Sequence, residues 1–220
     1  MIRWHRIREK PVASSEDIFE GGAKLPLVED FFSIQGEGFN TGKPAYFIRL
    51  GGCDIGCEWC DTKFAWDKDL HPLVDVETIV ERAASYPARS VVVTGGEPFS
   101  YPLDLLCSQL SHRGIRMYVE TSGVFPLSGE WDWISLSPKQ HHPPLDEYYE
   151  EANELKVIIR SRNEFEWAET LALKVQCKCC LFLQPEWSVF DEIIPVIVEY
   201  VKSHPHWNIS LQTQKFMNIP

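Results

Sequence analysis

From about residue 75 onward, short apolar runs alternate with segments of helical periodicity, and this alternation restricts the possible folds more than any other feature. Val76, Ile79, Val80, Ala83 and Ala84 recur at helical spacing behind Asp75, a candidate N-cap, and Val91 to Val93 follows as a buried strand. Leu103, Leu106 and Leu110 mark the next helix, which Gly114 stops, and Met117 to Val119 is the strand after it. Further strands are expected near Trp133 to Leu136, Leu155 to Ile159, Leu181 to Leu183 and Ile209 to Leu211, with helices near 162 to 172 and 188 to 202. Repeated strand and helix units imply an α/β fold with a mainly parallel sheet and outer helices. The chain falls short of the eight strands and roughly 250 residues of a closed (β/α)8 barrel, so an open partial (β/α) barrel is predicted.

Two earlier strands, Leu27 to Ile34 and Ala45 to Leu50, flank a loop rich in glycine and can form a hairpin. Residues 1 to about 24 lack sustained periodicity and end in Gly21 and Gly22, which marks them as an N-terminal arm. The 220 residues are 44% hydrophobic, enough apolar material for one well-buried domain and too little for two substantial ones, so residues 1–220 are expected to form a single domain. No internal repeat interrupts it.

Charge narrows the partners. With 21 Lys and Arg against 32 Asp and Glu, the net charge of -11 repels a polyphosphate, which argues against a nucleic acid held through its backbone. The basic residues near the start, Arg3 to Lys10, are not followed by an apolar run of signal-peptide length, and no later stretch is long enough to span a bilayer. A cytoplasmic protein without a membrane partner, acting on a small molecule, is expected.

Seven cysteines is an odd number, and Cys53, Cys57 and Cys60 crowd one short loop just after the strand that ends at Leu50. Such crowding makes mutual disulfides awkward and metal binding plausible in a reducing compartment. Four cysteines normally saturate a 4Fe-4S cluster, so three would leave one iron open to a ligand. A structural zinc site with His71 as fourth ligand is the competing reading, although structural zinc motifs more often show paired C-x2-C knuckles and no second such pair is clear. Cys177, Cys179 and Cys180, at the edge of an apolar strand, and Cys107, on an apolar helix, are expected to pack as small hydrophobes.

Cys53-x3-Cys57-x2-Cys60 resembles the signature of the radical S-adenosylmethionine (radical SAM) superfamily, and Thr94-Gly-Gly-Glu-Pro98 resembles its Gly-Gly-Glu motif. Physically, two glycines let backbone approach a ligand closely at the mouth of a strand, and Glu97 can accept from an ammonium. A narrower likeness runs along nearly the whole chain. Ser33-Ile-Gln-Gly-Glu-Gly38, Cys60-Asp-Thr-Lys-Phe-Ala-Trp66, Glu120-Thr-Ser-Gly123, Ser137-Pro-Lys139, Gln184-Pro185 and the ending Gln212-Thr-Gln-Lys-Phe through Pro220 resemble the 7-carboxy-7-deazaguanine synthase family. These enzymes act in queuosine biosynthesis and convert 6-carboxy-5,6,7,8-tetrahydropterin to 7-carboxy-7-deazaguanine with loss of ammonia.

The resemblance implies a 4Fe-4S cluster on Cys53, Cys57 and Cys60, S-adenosylmethionine at its open iron, and Mg2+ on Thr62, with Asp61 as a further candidate ligand. It implies that Ile34, Gln35, Gly36, Glu37, Arg49 and Thr94 hold the pterin together with Gln214 and the terminal carboxylate of Pro220. Trp59, Asp61, Gly96 and Glu97 would bind the cofactor, along with Ser137, Pro138 and Lys139, and with Gln184, Pro185, Glu186 and Trp187. A flavodoxin or ferredoxin would supply electrons, and the chain would form a homodimer. One departure stands out: the family commonly has His where this chain has Gln214, and a glutamine cannot take a charge near neutral pH. Phe216, Met217 and Ile219 make the ending apolar, so it is expected to dock rather than fray. Other readings of the cysteine motif are an activase that draws hydrogen from a glycine of a partner protein, and a zinc-stabilised binding module without catalysis.

Overall fold

The computed structural model describes residues 21–220, so the N-terminal arm lies, through residue 20, outside the described residues. β1 (Lys24–Ile34) and β2 (Pro44–Leu50) form the expected antiparallel hairpin, with Phe31 opposite Phe47. A short β3 (Leu73–Asp75) pairs with the start of β1. From β2 onward every pairing is parallel, through β4 (Ser90–Gly95), β5 (Arg116–Thr121), β6 (Trp133–Leu136), β7 (Glu154–Ile159), β8 (Cys180–Pro185) and β9 (Trp207–Ile209). The result is one sheet in the order β3-β1-β2-β4-β5-β6-β7-β8-β9, an unclosed partial barrel as predicted.

The crossovers carry α1 (Val76–Ala84), α2 (Asp104–His112), α4 (Glu164–Ala172) and α5 (Phe190–Ser203), preceded in chain order at α4 by the short α3 (Glu147–Glu151). Their apolar faces cover one side of the sheet. Val91, Val93, Val119, Leu155, Val157 and Ile159 are fully buried there, each contributing about 1.5–3 kcal/mol of transfer free energy. A last helix, α6 (Thr213–Met217), follows β9 and ends at Asn218, whose φ of 54° turns the chain sharply.

Strand pairing leaves the sheet open, and the two ends meet by other means. The Gly38 N–H donates to Ser210 Oγ (2.9 Å), and the N–H and hydroxyl of Thr213 both donate to the Gly36 carbonyl (3.0 and 2.9 Å). Ser33 Oγ donates to an oxygen of Pro220 at 3.0 Å. The loop after β1 and the segment after β9 therefore form a polar seam across the open side.

Several expectations change. Ile209 to Leu211 is not the last strand: pairing starts at Trp207, whose buried ring donates to Glu169 at 2.9 Å, and stops at Ile209 because the following residues turn into the seam. Asp75 stands at the N-cap of α1 without capping it; the Val76 N–H donates to the Ala23 carbonyl instead, and Asp75 faces Lys24 at 3.6 Å. Cys107 and Cys179 are buried as expected, but Cys177 is exposed and Cys180 half-buried, because the chain is still turning into β8 there. The apolar ending docks only in part: Phe216 is 57% and Met217 45% exposed, while the Phe216 ring meets those of Trp187 and Phe190 edge-on.

Candidate active site

The period of two along each strand builds the site. Tyr46, Ile48 and Leu50 of β2 face the helices, so Phe47 and Arg49 point the other way, and the same alternation sets Val92 and Thr94 of β4 and Tyr118 and Glu120 of β5. Phe47, Val92 and Tyr118 form a small inner apolar cluster. Two residues further along, Arg49, Thr94, Glu120, Lys156 and Gln184 border a cavity of about 560 Å³ at the C-terminal ends of the strands. That is the end where loops of a parallel sheet gather catalytic groups.

Glu37, from the loop after β1, accepts four side-chain hydrogen bonds in this cavity. Its Oε2 accepts from Lys156 Nζ (2.5 Å) and Gln184 Nε2 (3.0 Å), and its Oε1 accepts from Gln212 Nε2 (3.0 Å) and Gln214 Nε2 (2.9 Å). Burial pushes its carboxyl upward, but the Lys156 ammonium and the amide donors outweigh that and leave it at about 2. Burial in turn pushes Lys156 down, and Glu120, Glu37 and Glu154 more than reverse the effect, so the ammonium stays charged. Glu154, beneath them, accepts from the Phe39 N–H, Trp133 and Ser135; burial raises its carboxyl. Gly38 lies against this carboxylate with φ of 65°, and a Cβ there would sit 2.1 Å from Glu154 Oε1.

Glu120 accepts from Gln35 Nε2 at 3.0 Å, while Gln35 Oε1 accepts from the Glu37 N–H. The Gln35 amide is thereby oriented from both ends. Gln214 packs on Gly36 so closely that any Cβ there would collide with it, and its buried Oε1 has no protein partner. Arg49 Nε donates to Glu29 at 2.7 Å.

The cysteine loop is welded to the end of β4. The Gly96 N–H donates to the Leu50 carbonyl and the Glu97 N–H to the Gly52 carbonyl, both at 2.8 Å. A Cβ on Gly96 would stand 2.1 Å from Gly52 O, and Gly95 has a φ of 134° against Leu50. The two glycines thus admit the backbone of the β2 end and of the cysteine loop that follows it, where the sequence suggested only approach to a ligand. Glu97 is buried, accepting from Thr121 Oγ1 (2.6 Å) and from the N–H and hydroxyl of Ser122 (2.9 and 2.5 Å). Arg160, just past β7, lies over the Trp59 ring at 4.7 Å and faces Glu58, which ties the loop to the opposite side of the mouth.

Cys53, Cys57 and Cys60 are free, half-buried thiols bordering the cavity, and Cys60 Sγ lies 3.5 Å from Thr62 Oγ1. Burial raises the thiols of Cys53 and Cys57, so a cationic centre is what would hold them as thiolates. Their chemistry fits a 4Fe-4S cluster, which three thiolates would hold with one iron lacking a protein ligand. Among the described residues no three His, Cys, Asp or Glu side chains converge on a single-ion position. His71 instead has Nε2 2.9 Å from the Phe64 carbonyl and its ring against Gly51. Lys139, half-buried nearby, donates to the carbonyl and hydroxyl of Ser137 (2.6 and 2.8 Å), and desolvation pushes its ammonium down. Asp61 accepts from Gln212 (3.1 Å) and Lys215 (3.2 Å), while Trp187 and Phe190 meet the Phe216 ring at 5.3 and 5.5 Å.

Every site residue expected from the sequence borders this one cavity except Pro138, which is buried behind it. Lys156 was missed, and Glu120 and Gln212 were quoted within motifs without a role. A signal existed: Lys156 lies between Leu155 and Val157 and Glu120 follows Val119, charges set directly beside fully buried apolar residues. A charge there points to the inner face.

The Radical SAM superfamily profile matches residues 47–173. The chain is 50% identical to the 7-carboxy-7-deazaguanine synthase of Flavobacterium psychrophilum over 201 residues, covering 91% of this chain and 95% of that protein. It is 44% identical to the enzyme of the same name from Synechocystis over 194 residues, 88% of this chain and 93% of that one. The crystal structure of QueE from Escherichia coli superposes with a TM-score of 0.78 at 30% identity, covering 91% of this chain and 99% of that one. Membership implies a 4Fe-4S cluster and S-adenosylmethionine, and the thiols and cavity fit both. The chain belongs to the 7-carboxy-7-deazaguanine synthase family within the radical SAM superfamily.

Proposed function

We propose that this protein, acting as a single domain, converts 6-carboxy-5,6,7,8-tetrahydropterin to 7-carboxy-7-deazaguanine with loss of ammonia. The observation that carries this reading is that one cavity borders the three thiols and, facing them, a polar wall suited to a flat bicyclic substrate bearing a carboxylate. Cys53, Cys57 and Cys60 would hold a 4Fe-4S cluster, which together with S-adenosylmethionine would supply radical chemistry for hydrogen abstraction.

The chain's own residues supply binding and orientation. Arg49, whose Nε is held by Glu29, offers its terminal nitrogens to the substrate carboxylate, which matches a planar guanidinium. Gln35, oriented by Glu120 and the Glu37 N–H, presents amide donors and acceptors to the pterin ring. Ile34, Gly36, Glu37, Thr94 and Gln214 enclose the ring, and the terminal carboxylate of Pro220 accepts from its amino-pyrimidine edge. Trp59, Asp61, Gly96 and Glu97, with Ser137, Lys139 and Gln184 to Trp187, take the cofactor, while Pro138 supports them from behind. Walls that exclude water strengthen each of these bonds.

Thr62, with Asp61, holds Mg2+ through hard oxygen atoms. Thr62→Ala is expected to weaken the magnesium response of turnover at unchanged iron content, and an unaltered magnesium titration would remove Thr62 from the site. A flavodoxin or ferredoxin gives the electron, and the working form is a homodimer. The deciding experiment is an anaerobic assay of the reconstituted enzyme with the carboxytetrahydropterin, read by mass spectrometry. Formation of the deazaguanine and ammonia is expected; 5'-deoxyadenosine without deazaguanine would point to another substrate.

A further inference from the structure

The polar seam depends on one buried ion pair. Glu37 collects donors from three separate parts of the chain: Lys156 from β7, Gln184 from β8, and Gln212 and Gln214 from the segment after β9. The side chains of Lys156 and Glu37 are 5% and 13% exposed. Neither amide of the tail has another acceptor on the β1 side, and Gln212 alone reaches a second carboxylate, Asp61 of the cysteine loop. Lys156 is itself hemmed in by acids, with Glu37 bonded to it and Glu120 and Glu154 close by. Its ammonium serves to keep Glu37 an ionised acceptor in a place where an unpaired carboxylate would be costly.

We propose that Lys156 is a positioning residue: by pairing with Glu37 it latches the segment after β9 over the open side of the partial barrel, and so holds Gln214 and Pro220 at the substrate cavity. The bonds from Ser210 and Thr213 to the loop after β1 anchor the root of this segment. The amides of Gln212 and Gln214 carry the anchoring outward, and Ser33 meets the end of the chain. The substrate half of the inference rests on the proposed function; the latch itself does not.

The test compares wild type, Lys156→Met and the tail-side variant Gln212→Ala/Gln214→Ala, all with the cluster reconstituted. Hydrogen exchange of residues 211–220 is read beside that of β5, together with kcat and KM for the carboxytetrahydropterin. In Lys156→Met, exchange of the tail is expected to quicken by about tenfold or more with β5 unchanged, and KM to rise by about tenfold with kcat much less affected, the loss of one charge-assisted bond. The tail-side variant leaves the buried pair intact and should show the same pattern. Unchanged tail protection and KM in Lys156→Met, or exchange rising equally in β5, would overturn the latch. If Lys156→Met does not fold, the tail-side variant decides: full tail protection there overturns the proposal. Should wild type fail to turn over the pterin while the tail still loosens in the variants, the function is misread and the latch stands.

Discussion

The two faces of the same strands do opposite work. On the outer face of β7, Leu155, Val157 and Ile159 are fully buried beneath helices, and any of several aliphatic residues would serve there. On the inner face of the same strand, Glu154 and Lys156 are almost as buried, yet each is held by named partners. Burial alone therefore does not distinguish stability from function. The partners do: the outer face can accept an aliphatic exchange of like volume, whereas on the inner face removing a donor or acceptor leaves a buried partner unsatisfied.

Four measurements sharpen that contrast. The largest effect is expected at the inner mouth, where Cys57→Ala abolishes 5'-deoxyadenosine formation while the fold, seen by circular dichroism, survives. Cys179→Ala on the outer side should keep its iron, and loss of iron in that variant with retention in Cys57→Ala would reverse the ligand assignment. Next comes Leu155→Ala, a cavity beneath the helices that costs about 2–5 kcal/mol in urea unfolding. Its KM should match wild type at a temperature where both are folded, and a changed KM would break the division between faces.

The third concerns pH. Glu37 sits at about 2 in the folded chain against 4.5 when exposed, so its contribution, on the order of 3 kcal/mol, is complete above about pH 4.5 and is lost as pH falls toward 2. The stability gap between wild type and Glu37→Gln should thus be widest near pH 7 and narrow steadily below pH 4.5. A gap independent of pH would mean that Glu37 is not ionised by its partners. The smallest effect is at the chain end. One Gly added after Pro220 turns the terminal anion into an amide, and a rise in substrate KM of about tenfold is expected from one weakened charge-assisted bond. Equal kinetics for extended and native-ended enzyme would take Pro220 out of the substrate site.

Much of the architecture could be read directly. Local pattern places the hairpin and the strands near Val91, Met117, Trp133, Leu155 and Leu181, because buried aliphatic runs and helical spacing are properties of neighbouring residues. The elements that escaped, β3, α3 and α6, span three to five residues, too few for any period to show. Trp207 was misplaced for a related reason: one aromatic flanked by polar residues carries no strand signal until its ring is seen to fill a gap beside α4 and bond Glu169.

The candidate site divides in the same way. Cys53, Cys57 and Cys60 are close in sequence, so spacing alone marks them as a joint metal-binding candidate, and the likeness to the family carried the choice of cluster and the other motifs. Lys156, Gln184 and Gln212 act on Glu37 across 119, 147 and 175 positions, and no local pattern links them. What the sequence by itself determined is the parallel α/β architecture, the three-thiol loop and the family. Only the tertiary structure decided that the open sheet is closed by a polar seam, that the two glycines before Glu97 admit the end of β2 and the start of the cysteine loop, and that Glu37 is held ionised by Lys156. The physical reason is that periodicity and ligand spacing are short-range, while the state of a buried charge depends on whichever distant groups folding brings within hydrogen-bond reach.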